Sequence, residues 1–147
     1  MHSTLRSIVA VLVLLLPHLA ASQREPTAQD REAVVTQLLE AFNRQDPEAM
    51  GRLVTSDIQW LNINASSTSA EANSKEQLLK GMASYFKSCP TCRSSHAGLI
   101  STPNRVSAVE VAEWMKDGVR HTQRSISVYE FSGKLITRVY YFPAERP

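Results

Sequence analysis

Residues 125–143 read SISVYEFSGKLITRVYYFP. Two runs rich in β-branched and aromatic residues flank Ser132-Gly133, so the stretch predicts a β-hairpin. Its aromatics (Tyr129, Phe131, Tyr140, Tyr141 and Phe142) are too many for a plain surface ribbon, and where they point sets the architecture. Upstream, Asp117-Gly118 is a type I′ turn signal between RVSAVEVAEWMK and VRHTQRSISVYEF, and Pro103-Asn104 separates these from RSSHAGLIST. From Arg93 onward the chain therefore reads as an antiparallel meander.

The part before it is mostly helical. Asp30 starts DREAVVTQLLEAFNRQD, whose Val34, Leu38, Leu39 and Phe42 form one apolar stripe. Asp46-Pro47-Glu48 is an N-cap, an N1 proline and a first-turn acid, which predicts a second helix with Met50, Leu53 and Val54 inward and Asp57 at its end. IQWLNI, residues 58–63, reads as a strand and the polar run 64–73 as a loop. Ser74 with Gln77 forms a capping box for a third helix bearing Leu78, Leu79, Met82, Tyr85 and Phe86. The prediction is α+β: three N-terminal helices packed on one face of a strongly curved, mainly antiparallel sheet.

The first residues carry a targeting signal. Arg6 precedes the apolar run Ile8–Leu16, Pro17 and His18 interrupt it, and Ala20 and Ser22 offer a small-residue cleavage site. This predicts a secretory signal peptide over 1–22, a polar tail over 23–29 and a single domain over 30–144, exported to a periplasm or to the medium with no stable membrane span after cleavage. Cleavage removes Arg6 and leaves 15 basic against 14 acidic residues. Nothing forms a basic stripe, which argues against nucleic acid and leaves a small ligand or a second copy of the chain as the expected partner. Cys89 and Cys92 form CPTC, read as a structural disulfide, as free thiols or as a redox or metal pair. The apparent helix precedes them, which is the wrong end for activating a thiolate, and no paired histidines stand by to complete a zinc site. Asn64-Ala65-Ser66 is a glycosylation sequon, meaningful only in a host that modifies such sites.

The element order, with Asp57 to Trp60 opening the first strand and Phe131-Ser132-Gly133-Lys134-Leu135 with Tyr141 closing the chain, resembles the SnoaL-like group of the nuclear transport factor 2-like superfamily. The late hairpin lacks that family's Asp and is one residue shorter. The resemblance implies a cone whose helices and sheet leave a pocket open at one end, and it implies sheet-on-sheet homodimers. It does not imply one activity, because isomerases, cyclases, dehydratases and non-catalytic binders share the fold.

Tight turns fix register. With turns at Asp117-Gly118 and Ser132-Gly133, one sheet face collects Glu110, Trp114, Gln123, Ser125, Tyr129 and Tyr140. The other collects Val109, Val111, Ile126, Val128, Val139 and Tyr141, with Glu113 and Arg124 as polar intruders. The apolar face is expected to take the helices. That places a ligand pocket among Trp60, Asn62, Tyr85, Glu113, Arg124 and Tyr141, and a dimer interface at Trp114, Tyr129, Tyr140 and Phe142. The bland reading of Glu113 and Arg124 is a solvated ion pair at the rim.

For chemistry, Glu113 is the candidate general base, with Tyr85 or Tyr141 as oxyanion donor. His96 and His121 are weaker candidates, neither with an acidic partner in this register. No phosphate loop, nucleophile elbow or metal cluster is present in the sequence, so no cofactor and no metal is expected. The expected function is an exported protein binding a small, largely apolar ligand without catalysis. The alternative is a cofactor-independent isomerase, dehydratase or cyclase acting on a small carbonyl or polyketide-like substrate through Glu113.

Overall fold

The computed structural model describes residues 24–144, so the signal segment and its cleavage site lie outside the described residues. Helix α1 spans Ala28–Asn43, α2 Pro47–Gly51 and α3 Lys75–Ser88. The strands are β1 Val54–Asn64, β2 Ser67–Ala72, β3 Arg93–Thr102, β4 Arg105–Lys116, β5 Val119–Ser132 and β6 Leu135–Phe142. They form one sheet in the order β2-β1-β6-β5-β4-β3, antiparallel except where β1 runs parallel to β6.

Two expectations about the helical half are corrected. The polar run after Asn64 is not a loop: Asn64↔Ser67 closes a hairpin and Ser67–Ala72 pairs with β1. Its side chains are exposed up to Ala72, so alternation gave no signal, and only backbone pairing makes it a strand. Consequently α3 follows two strands, and the helices are not all N-terminal. The second helix stops at Gly51, and Val54 is a fully buried strand residue instead of a helical one.

Local chemistry sets the helix starts. Thr27 caps α1, its hydroxyl accepting from Asp30 N while the Asp30 carboxylate accepts from Thr27 N at 2.8 Å. These hydrogen bonds hold the Asp30 carboxyl below its usual value. Asp46 accepts from Ala49 N at the start of α2, and Ser74 from Gln77 N at the start of α3. The Gln77 side chain reaches back one residue further than a standard capping box, to Asn73 N.

Val35, Leu38, Met50, Ile58, Leu78 and Phe86 meet Val106, Ala108, Tyr129, Ile136 and Val139 in the core. At the far end, buried Arg31 donates to the carbonyls of Pro26 and Pro103 and lies 5.8 Å from the Phe131 ring centre, which ties α1 to the β3–β4 turn.

The β4–β5 register follows the expected turn throughout: Trp114↔His121, Ala112↔Gln123 and Glu110↔Ser125. Asp117 and Gly118 take φ of 53° and 76°, the left-handed pair a type I′ turn demands. The last hairpin differs. Ser132 pairs with Leu135, so Gly133-Lys134 form the loop, and an irregularity between Glu130 and Phe131 shifts the ladder once more. Tyr129 thus pairs with Val139 instead of Ile136, and Ser127 with Tyr141 instead of Arg138. An odd offset exchanges faces. Tyr129 shares a face with Val139 and Tyr141, while Tyr140 and Phe142 point the other way.

Candidate functional site

The helix-facing side of β4 and β5 is the one carrying Glu110, Ala112, Gln123, Ser125 and Tyr129, and it floors a cavity of about 340 Å³. Helix α1 supplies Leu38 and Phe42 to its wall, and α3 supplies Met82 and Tyr85. Trp60, Asn62 and Tyr141 enter from the adjoining strands β1 and β6. The mouth is braced on two sides. Asn62 Nδ2 donates to Glu71 Oε1 at 2.6 Å. The Asn43 side chain brackets the Ser94 backbone with two 2.8 Å hydrogen bonds, pinning the end of α1 to β3.

The chemistry sits on the floor. Tyr129 is 2% exposed, and its hydroxyl donates to Glu110 Oε1. Burial, reinforced by the Glu110 charge, pushes the Tyr129 pKa well above its usual 10.0. His96 stands opposite Glu110 in the β3–β4 register. Its Nε2 is buried and unpartnered, and burial lowers its pKa from 6.5 despite the opposing influence of the Glu110 charge. Ser127, between Ser125 and Tyr129 on the same face, is fully buried with its Oγ unpartnered.

Of the residues expected at a pocket, Trp60, Asn62, Tyr85 and Tyr141 line this cavity. Glu113 and Arg124 do not. They lie on the opposite face of the sheet, exposed, and Glu113 is 3.4 Å from Arg120 in a solvated pair of little energetic weight. Glu113 therefore has no enclosed position from which to act as a base. The physical reason is that the β4–β5 face chosen as core by its apolarity points outward, whereas the face with Ser, Gln and Glu lines a cavity and needs no close packing.

The same inversion corrects the expected interface. Tyr129 is a core residue, and Trp114 lies on the cavity-facing row, stacked on His121 with ring centres 5.4 Å apart. Only Tyr140 and Phe142 of that set face outward. The reading of His96 as lacking an acidic partner is corrected too, because a bulge between His96 and Gly98 places it across from Glu110. Alternation along β4 and β5 does put Glu110 on one face with Gln123, Ser125 and Tyr129, and the structure turns that face inward.

Cys89 and Cys92 form a disulfide bridging the end of α3 to the start of β3. The Tyr85 hydroxyl lies 3.2 Å from Cys92 Sγ, coupling this clasp to the cavity wall. Among the described residues no group of three or more His, Cys, Asp or Glu is placed to hold a metal, and no helix is long and apolar enough to cross a membrane.

A curved, mainly antiparallel sheet with helices against one face and a cavity between them defines an α+β protein of the nuclear transport factor 2-like fold. The SnoaL-like domain family matches residues 35–139, and the chain belongs to it. No curated protein matches the chain in sequence. Among solved structures it is similar to an uncharacterised cystatin-fold protein from Novosphingobium aromaticivorans, at 20% identity and TM-score 0.66, over 76% of this chain and 96% of that one. It is similar to a putative SnoaL-like polyketide cyclase from Jannaschia sp. CCS1, at 11% identity and TM-score 0.67, over 82% and 89%. It is also similar to TerC, co-crystallised with polyporic acid, at 13% identity and TM-score 0.65, over 78% and 91%. At these identities the likeness is one of fold.

Proposed function

We propose that this is an exported SnoaL-like protein that binds one small, largely apolar molecule in the cavity between helices and sheet. The observation that carries the reading is the cavity itself: an aromatic and aliphatic wall with its polar groups confined to one floor and rim, the usual build of a small-molecule site. TerC, of the same fold, was crystallised with a small organic molecule. The signal-like N-terminal stretch and the Cys89–Cys92 disulfide favour an oxidising compartment outside the cytosol.

A catalytic reading draws support from Glu110 and Tyr129, which put a carboxylate and a hydroxyl on the cavity floor, with His96 across the ladder from Glu110. Binding is preferred because the Tyr129 hydroxyl is committed to Glu110 and so is not available as an oxyanion donor. The outward sheet face is assigned to a second copy of the chain. Val109, Ile126 and Phe142 lie side by side there across three strands, each 38–52% exposed.

Native mass spectrometry of the protein purified from its own extracellular or periplasmic fraction tests the reading. One small molecule retained per chain, recovered unchanged, is the expected result. Recovery of a chemically altered molecule after incubation establishes catalysis, and an empty cavity under all conditions refutes the binding function.

A further inference from the structure

The charges around the cavity are one-sided. Two of its lining residues, Glu71 and Glu110, are acidic, and none is Lys, Arg or His. Glu71 stands at the rim with its carboxylate held by Asn62. Glu110 lies on the half-buried floor, and its hydrogen-bond donor is the neutral Tyr129 hydroxyl. Among the described residues the ion pairs are Arg105–Glu130, Arg138–Glu130 and Arg120–Glu113, so Glu110 takes part in none. The nearby imidazole of His96 does not supply the missing charge, since burial holds it in its neutral form at pH 7. Arg93, at the start of β3, is turned toward the carbonyls of Pro90 and Cys92.

A carboxylate withdrawn from water is ordinarily matched by a cation. The residues lining this cavity supply none. The surrounding surface suits a cation as well, because Trp60, Phe42, Tyr85 and Tyr141 line the cavity and aromatic faces attract positive charge. Resting on the binding function above, we propose that the ligand is a small hydrophobic amine, bound as its ammonium ion with the nitrogen at Glu110 and the apolar body against the aromatic wall. The Ser125 hydroxyl and the Gln123 amide oxygen lie on the same floor and offer acceptors for the remaining N–H groups. An organic anion, by contrast, meets two carboxylates and no compensating cation.

Isothermal titration with three near-isosteric probes tests this: 2-(1-naphthyl)ethylamine, 2-(1-naphthyl)ethanol and 1-naphthylacetic acid, at pH 7 and low salt. The amine is expected to bind at least about tenfold tighter than the alcohol, and the acid not measurably. Glu110→Gln, which keeps an oxygen for the Tyr129 hydroxyl, is expected to level amine and alcohol. Glu113→Gln, on the outer face, is the control that leaves the preference intact. Equal binding of all three probes, or preference for the acid, overturns the amine assignment while leaving the binding function standing. So does an amine preference that survives in Glu110→Gln. If Glu110→Gln fails to fold, the order of the three probes on the native protein decides alone. No binding of any probe overturns the amine assignment, and the native mass spectrum then decides the cavity function separately.

Discussion

The Glu110 carboxylate accepts from the Tyr129 hydroxyl and stands across the β3–β4 ladder from His96, so its charge reaches both. The pH response of His96 can be worked out by sign. Its folded-state pKa lies below 6.5, the value it regains on unfolding, because burial disfavours the imidazolium. The unfolded chain therefore binds the proton more readily, and stability present above pH 6.5 is lost as pH falls below it. Thermal melts at pH 7.5, 6.5 and 5.5 are expected to show a falling midpoint that His96→Gln flattens; an unchanged slope in the variant removes His96 as the cause. At this scale the sequence was half legible. Alternation on β4 and β5 grouped Glu110 with Gln123, Ser125 and Tyr129, since period two is a local property. Which way the group pointed was not legible, because a polar row can face a cavity as readily as water.

At the scale of elements, turns decide more than strands do. Asp117-Gly118 sets twelve paired positions of β4 and β5, and the register followed from those two residues alone. Gly118 has φ 76° with open space around its missing Cβ, so Gly118→Ala meets backbone strain without any clash. Denaturant titration is expected to show a loss of about 1 kcal/mol with the cavity and its ligand affinity retained. A neutral effect would mean that the turn relaxes to another type. The hairpin at Gly133 was less legible. Ser132-Gly133 and Gly133-Lys134 are both acceptable loops around one left-handed glycine, and the bulge near Glu130 leaves no residue signature of its own. Strand β2 was invisible for a different reason: it is an edge strand with one buried residue, so nothing in its side chains alternates.

Over the whole molecule, the sheet presents two unlike surfaces. The inner one closes the cavity, and the outer one bears Ile126 at 52% and Phe142 at 39% exposure beside Val109 and Val128. The charged row Arg105–Glu130–Arg138 borders that patch, as a polar rim borders an interface core. Sedimentation velocity is expected to give a dimer for the native chain and a monomer for the double variant Ile126→Lys/Phe142→Lys, with the melting profile of the variant still cooperative. A native monomer at micromolar concentration would remove the interface. The overall α+β class was readable from the switch of hydrophobic period near Arg93. The assignment of faces was not, because maximal apolarity marks the surface to be buried and does not say whether helices or a second subunit bury it.

One consequence follows from the sheet order. β6, the last strand in sequence, occupies a central place between β1 and β5, and its Ile136 N–H bonds to the carbonyl of Leu53. Until Leu135–Phe142 is available, β2-β1 and β5-β4-β3 are two separate half-sheets that share no ladder. Joining them is a long-range closure, the kind of contact that slows folding. The single continuous sheet that floors and walls the cavity therefore exists only once Leu135–Phe142 has joined its two halves.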